Sequence, residues 1–192
     1  MKMNQRPVPM IPTEQILSRF TKELPQTILG YTYSESRLIW DDVDRVEYFD
    51  GATYVVNENS NSHKGVTIGN FININDRGSL PVDEHGKFAP QNDPLYMHEY
   101  GHYLQSQKYG WEYLISVGIP SLFSASTADR LDTPPFSTHN EKWFEKSANK
   151  MASEYFGNKY GVNWNTRYVP WFWPEWKKKR FWYLRYKDFY PI

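Results

Sequence analysis

The chain has 192 residues, with 22 basic and 22 acidic side chains and no cysteine, which suits one domain of zero net charge. These values argue against a protein that binds nucleic acid mainly by charge, and they exclude disulfides, thiolate metal ligands and a cysteine nucleophile. The sequence contains no apolar run of about 18 residues and so predicts no transmembrane helix. Any metal ion must therefore bind to nitrogen and oxygen ligands.

The first 75 residues predict one helix followed by several strands. Residues 1–15 are too polar and too rich in proline for the core of a signal peptide, so the protein either stays where it is made or is part of a longer exported chain. Apolar side chains at helical spacing predict a short amphipathic helix over 13–24. β-Branched and aromatic runs separated by Asp, Asn and Gly predict strands at 38–40, 46–49, 52–56 and 66–75.

The best-defined element is a helix predicted over residues 94–109. Asp93 suits the N-cap, Pro94 suits the first helical position, and Gly110 is placed to end the helix. The apolar segment that follows, at 111–123, predicts a partly buried helix with a break near its glycine and proline.

The predicted 94–109 helix contains the HExxH pattern, as HEYGH at residues 98–102. Residues four apart lie on one helical face with Cβ atoms roughly 5–6 Å apart, so both imidazoles can reach one ion. Glu99 projects beside them, where a carboxylate can take a proton from water that the metal activates. We therefore predict His98 and His102 as metal ligands and Glu99 as the general base.

A third ligand is predicted on a later helix, over 139–160. Glu145 lies 43 positions after His102 and is the predicted ligand. Glu141, one turn earlier on the same face, is the alternative. Asn149, one turn after Glu145, is placed to accept a hydrogen bond from a ligating imidazole and so to fix its orientation.

Three further positions refine the site. His139 is a catalytic candidate, as a hydrogen-bond donor to the developing oxyanion; a metal ligand and a simple helix-start residue are the alternatives. Gln105 and Lys108 stand where the metzincin pattern requires glycine and histidine. That subclass of zinc peptidase is therefore excluded.

The HEYGH helix with the later ExxAN resembles the zincin superfamily, in its gluzincin branch. The chain is also similar, over about residues 41–165, to a domain at the C-terminal end of bacterial Rhs/YD-repeat proteins. The resemblance implies a Zn²⁺ cofactor, a peptide or protein substrate and a parent Rhs/YD-repeat chain, secreted or at the cell surface. It is carried by the segments 41–56, 65–75, 97–121 and 143–149.

The resemblance also implies an edge strand that binds substrate. In zincins such a strand precedes the active-site helix and offers free N–H and C=O groups to an extended peptide. Residues 66–75 are the candidate segment, with Asn70, Phe71 and Asn73 as the predicted substrate-binding residues. An ordinary interior strand is the alternative.

We predict an α+β fold, in which a small, twisted, mainly antiparallel sheet packs on the HExxH helix and on a second ligand-bearing helix. Residues 1–30 are predicted to form an N-terminal extension with a short helix, and 31–162 the zincin-like domain. Residues 163–192 are aromatic and basic. They are predicted to pack on the same domain, with a strand pair that closes the sheet; docking to a partner and binding to an anionic surface are the alternatives.

The predicted function is zinc-dependent hydrolysis of peptide bonds, with Glu99 as general base, in a toxin, effector or processing domain of a larger secreted protein. The alternative is a catalytically silent zincin-like module that binds or supports other parts of a surface protein. A third hypothesis is latent activity, released when the chain separates from its parent or an inhibitor. No specific nucleic-acid partner is predicted.

Overall fold

The computed structural model of the protein describes residues 17–78, 80–124 and 142–164. In this part of the chain, three long helices and a four-stranded sheet form an α+β fold, which confirms the predicted class. The helices are α1 (Leu24–Ile39), α2 (Pro94–Tyr109) and α3 (Trp143–Tyr160). The strands are β1 (Arg45–Phe49), β2 (Ala52–Asn57), β3 (Asn59–Ile68) and β4 (Phe71–Arg77).

The sheet has the strand order β1-β2-β4-β3. The β1–β2 and β4–β3 pairs are antiparallel and the β2–β4 pair is parallel, so the sheet is mainly antiparallel, as predicted. Tyr54, Ile72 and Ile74 are fully buried beneath α2. The same cluster contains Tyr100 of α2 and Phe156 of α3. Their ring centroids lie 5.3 Å apart, so the two side chains pack together between the helices. Much of the aromatic content thus forms the core between the sheet and these helices.

Helix α1 was not predicted. In the described part of the predicted 13–24 helix, residues 17–19 are helical and 20–23 form a turn before α1 begins. The strand predicted at 38–40 was wrong, because Leu38 and Ile39 end α1. Pro25 lies in the first turn of α1, where its missing N–H costs no hydrogen bond, so it starts a helix here. A three-residue apolar run does not distinguish a strand from a helix end by itself. The predicted domain boundary after residue 30 falls inside α1.

The single strand predicted over 66–75 is a hairpin. Gly69 has φ +63° and turns the chain between β3 and β4, and a Cβ atom there would lie 2.8 Å from the backbone of Gln26. The polar residues 59–65 extend β3 by seven positions, although they lack the alternation that predicts a strand. Within the described residues, β3 lies at one edge of the sheet and β4 is an interior strand.

The segment after α2 is helical, with a change of geometry in place of the predicted break. Gly110–Glu112 form a 3₁₀ turn and Leu114–Gly118 a π-helix, and helical residues continue over 119–124. Pro120 lies directly after the π-helix, within the continuous helical run. Tyr113 and Val117 are buried and pack with Phe144, at the start of α3.

Asp50 joins the β1–β2 turn to the C-terminal half of α3. Its Oδ2 atom accepts hydrogen bonds from the Tyr155 and Tyr160 hydroxyls, at 2.5 and 2.6 Å, and from Lys159 Nζ at 2.7 Å. Burial alone raises the pKa of Asp50, but the bonds from Lys159 and the two tyrosines outweigh it and hold the pKa below its ordinary value of 3.8.

We expect Asp50→Asn to lower the free energy of unfolding by about 1–2 kcal/mol at neutral pH, because three donors lose a charged acceptor on a partly solvated surface. Asparagine tolerates the positive φ of 40° at this position, so the backbone is not strained. The carboxylate contribution is complete above pH 3.8 and is lost as the pH falls through the lower folded-state pKa. The difference between the two proteins should therefore shrink in acid.

Urea unfolding at several pH values measures this effect. Glu84→Gln, at a side chain 86% exposed, is the matched control and should change little. If Asp50→Asn lowers the free energy of unfolding by the same amount at neutral pH and well below pH 3.8, the charge of Asp50 does not contribute to stability.

Candidate metal centre

Helix α2 begins at the predicted cap and runs through the core. The Asp93 carboxylate accepts hydrogen bonds from the backbone N–H groups of Leu95 and Tyr96, at 2.8 and 3.3 Å, and Gly110 ends the helix with φ 58°. Nine consecutive residues, 95–103, are buried. The HExxH residues are therefore held on a rigid element that other elements enclose.

The structure brings the three predicted ligands together. Oε2 of Glu145 lies 3.1 Å from Nε2 of His98 and 3.2 Å from Nε2 of His102. The three side chains offer ligand atoms that all lie within 4.8 Å of one another, and all three residues are buried. Two imidazoles and a carboxylate in this arrangement could hold a metal ion.

Each imidazole is oriented by an amide on the side away from Glu145. Nδ1 of His98 lies 2.7 Å from Oδ1 of Asn149, and Nδ1 of His102 lies 2.8 Å from Oε1 of Gln105. An amide oxygen only accepts, so each Nδ1 carries a proton and Nε2 is the ring atom that faces Glu145. Asn149 was predicted for this role, whereas Gln105 was noted only as a departure from the metzincin pattern. Its signal is its position three residues after a ligand, on the same helical face.

The two distances from Glu145 to the histidines are compatible with donor atoms that share one metal ion. Ligand atoms on a tetrahedral zinc ion with bonds of about 2.0 Å lie about 3.3 Å apart, close to the 3.1 and 3.2 Å observed between Glu145 and the two histidines. Burial opposes the charge on Glu145, but the two imidazoles hold its pKa well below the usual range. Burial likewise opposes protonation of His102, yet Glu145 and the hydrogen bonds raise the pKa of His102 to about 9. Glu145 is therefore held as an ionised carboxylate beside the two imidazoles.

Helix α3 delivers Glu145 through a close approach to α2. Glu145 lies in the first turn of α3, where the helix dipole favours a carboxylate. A Cβ atom at Gly101 would overlap the carbonyl oxygen of Ala148 and lie 2.7 Å from its carbonyl carbon. The second carboxylate oxygen of Glu145 accepts a hydrogen bond from Ser121 Oγ at 2.6 Å. Small residues on both helices therefore allow the ligand to reach the histidines.

Glu99 lies beside the ligands and is held against β3. Thr67 Oγ1 donates to Oε2 of Glu99 at 2.6 Å and contacts its backbone carbonyl oxygen at 3.1 Å. A Cβ atom at Gly65 would overlap the Glu99 carboxyl group, so glycine leaves room for this side chain in its observed position. Neither Gly65 nor Thr67 was predicted, because their contact with Glu99 spans more than 30 residues of sequence.

A cleft of about 490 Å³ gives access to the three ligands and Glu99. It is lined by α1, by residues 65–68 of β3 and by residues from 113 to 122 of the segment after α2. The buried Tyr113, another residue that sequence reasoning missed, donates from its hydroxyl to the carbonyl oxygen of Thr67 at 3.3 Å. The site is therefore buried at its ligands and reachable through a pocket of ordinary ligand-binding size.

The predicted substrate residues do not line this cleft. Asn70 lies in the β3–β4 turn and Phe71 packs on Tyr31 of α1, with ring centroids 5.9 Å apart. Asn73 lies on the interior strand β4 and accepts a hydrogen bond from Ser34 of α1 at 3.1 Å. Their predicted placement on an edge strand was wrong. The edge strand is β3, which ends before the turn, and β4 after the turn is an interior strand.

Several predictions lie outside the described residues. They concern His139, the alternative ligand Glu141, the start of the 13–24 helix and most of the aromatic segment over 163–192. The described helices include none that is both long enough and apolar enough to cross a membrane.

Comparison of the chain with protein-family models, curated proteins and solved structures found no match.

Proposed function

We propose that the protein is a zinc-dependent peptidase. The observation that carries this proposal is the convergence of His98, His102 and Glu145 beside a cleft that also contains Glu99. Two histidines and one glutamate are a donor set of catalytic zinc sites, which keep one coordination position for water or substrate. Among the described residues no fourth histidine or carboxylate joins this group.

The chain's own groups have separate roles in the proposed reaction. A bound zinc ion supplies Lewis-acid polarisation of the scissile carbonyl and makes water acidic enough to react at neutral pH. Glu99 takes the proton of the attacking water and returns it to the leaving amine. Thr67 keeps the Glu99 carboxylate in place, and the amides of Asn149 and Gln105 keep the histidines oriented.

Substrate backbone is proposed to bind along β3. Residues 65–68 of β3 line the cleft and belong to an edge strand in the described part of the chain. An extended peptide can add to such an edge through main-chain hydrogen bonds, which gives affinity without dependence on sequence. This transfers the predicted substrate-binding role from Asn70, Phe71 and Asn73 to β3.

A silent zincin-like module remains the competing outcome, and open access to the ligands favours the peptidase over it. The parent Rhs/YD-repeat chain, export with that chain and latency stay predictions from sequence.

Metal analysis combined with casein hydrolysis tests the proposal. Protein purified without added metal should contain about one equivalent of zinc. Each of three ligand variants should lose the metal and the activity, because only two protein ligands would remain: His98→Ala, His102→Ala and Glu145→Ala. Glu154→Ala, at an α3 side chain 62% exposed, is the matched control and should keep both.

A chelator should stop hydrolysis and added zinc should restore it. Zinc binding without any hydrolysis would favour the silent module. Full zinc content in all three ligand variants would overturn the site itself.

A further inference from the structure

We propose that Ser121 is a positioning residue for Glu145, and that its hydroxyl makes Glu145 a ligand through one carboxylate oxygen only. This inference rests on the proposed function and adds a residue that the proposed metal site needs. Ser121 Oγ lies 2.6 Å from Oε1 of Glu145. Oε2 of the same carboxylate lies 3.1 and 3.2 Å from the Nε2 atoms of His98 and His102. The two carboxylate oxygens thus face different partners.

The backbone around Glu145 is fixed by other contacts. Gln105 Nε2 donates to the carbonyl oxygen of the preceding residue, Phe144, at 2.7 Å. The Phe144 side chain packs with the buried Tyr113 and Val117. These contacts determine where Glu145 leaves α3, but they do not determine how its carboxylate is turned. The last torsion of a glutamate side chain is broad and roughly two-fold, so the orientation of its two oxygens depends on hydrogen-bond partners.

The π-helix at Leu114–Gly118 brings Ser121 to the site. In an α-helix of about 3.6 residues per turn, side chains four apart differ in direction by about 40°, and those eight apart by about 80°. A π-helix pairs residues i and i+5 and has more residues per turn, which reduces this difference. Tyr113 and Val117 are buried, and Ser121 follows after four more positions. The wide turn therefore keeps Ser121 near the buried face of the segment.

That buried face is also attached to the sheet. The Tyr113 hydroxyl donates to the carbonyl oxygen of Thr67 on β3 at 3.3 Å. Thr67 in turn donates to Glu99 through its own hydroxyl. One helical segment thus contacts the support of the proposed general base at its start and the proposed ligand Glu145 near its end. The position of the Ser121 hydroxyl relative to the site is fixed at both places.

A single-oxygen ligand has a chemical consequence. Catalytic zinc sites have three protein ligands and keep one position for water or substrate. A carboxylate can bind a metal ion through one oxygen or through both. If Glu145 used both oxygens, it would take the position that water or substrate needs. The hydrogen bond from Ser121 to Oε1 holds that oxygen away from this role, as partners of ligands commonly do.

Cobalt(II) is the probe for the test, because it binds to the same nitrogen and oxygen ligands as zinc. Its visible absorption weakens when the number of ligands rises above four. The full-length Ser121→Ala protein, loaded with Co²⁺, should therefore lose visible absorption relative to the unmodified protein. Ser121→Thr keeps a hydroxyl and should restore the absorption.

Ser116→Ala is the matched control on the same segment. Ser116 is exposed, and its hydroxyl donates to the backbone carbonyl oxygen of Glu112 at 2.8 Å, so the cobalt spectrum should not change. Alanine suits a helix, so the metal-free Ser121→Ala protein should unfold at the same temperature as the unmodified protein or higher. A spectral loss at this unchanged stability is the result that a merely structural role of Ser121 does not give.

The outcomes separate this inference from the proposed function. An unchanged cobalt spectrum in Ser121→Ala overturns the inference and leaves the peptidase intact. A spectral loss that Ser121→Thr does not restore, or that Ser116→Ala also shows, overturns it as well. A restored spectral loss without casein hydrolysis by the unmodified protein keeps the inference and overturns the peptidase. If the unmodified protein binds neither cobalt nor zinc, the metal site and the inference both fail.

Discussion

For the proposed peptidase, Glu99→Gln is expected to lower the rate of peptide hydrolysis by about 10²–10⁴-fold without loss of zinc, because the amide cannot take a proton from the attacking water. Glutamine has the shape of glutamate and can still accept the hydrogen bond from Thr67. The packing against Gly65 is preserved for the same reason. The loss should therefore fall on kcat, with KM little changed.

Steady-state kinetics on an internally quenched peptide, together with zinc analysis, measure both quantities. Glu154→Gln is the control for loss of one glutamate charge, at an exposed site on α3. Hydrolysis within tenfold of the unmodified protein would remove Glu99 from the mechanism. Loss of zinc in Glu99→Gln would instead place Glu99 among the ligands.

The core of the site could be predicted because most of it lies on one helix. His98, Glu99 and His102 need only helical periodicity to share a face, and the cap at Asp93 predicts that helix locally. Glu145 and Asn149 followed from the resemblance and from their spacing of one turn. These residues meet in the structure as the sequence predicts.

The rest of the site depends on contacts that no local pattern reports. Gly65 and Thr67 contact Glu99 because of the tertiary position of β3, which no local pattern predicts. The start of β3 is polar and lacks the alternation that predicts a strand. Helix α1 was missed because its exposed face carries apolar side chains, such as Leu38 and Ile39, in a short run that also suits a strand. Its position is set by packing: a Cβ atom at Gly30 would overlap the carbonyl oxygen of Ile68.

Gly101→Ala is expected to lower the free energy of unfolding by about 2–4 kcal/mol, although alanine is the better helix former by about 1 kcal/mol. The added Cβ atom would overlap the backbone carbonyl of Ala148, and a backbone carbonyl cannot rotate away as a side chain can. Helices α2 and α3 must therefore move apart by about an ångström to restore normal contact.

That movement also acts on the candidate metal site. Ala148 lies next to Asn149 and three residues after Glu145, so the separation shifts one ligand and one orienting amide away from His98 and His102. We expect zinc affinity to fall by about 10–100-fold, the range found when support of a ligand is disturbed. Thermal unfolding with and without zinc measures the stability change, and competition with a chromogenic chelator measures the affinity.

Gly157→Ala tests whether any glycine-to-alanine change would act in the same way. Gly157 lies on α3, and the nearest atom to an added Cβ there is 3.4 Å away, at the limit of ordinary contact. Alanine should therefore be neutral or stabilise the protein by up to about 1 kcal/mol at this position. A small effect at both positions would mean that α2 and α3 do not need their close approach. A stability loss at Gly101 with unchanged zinc affinity would mean that Glu145 reaches the histidines independently of the packing of these helices.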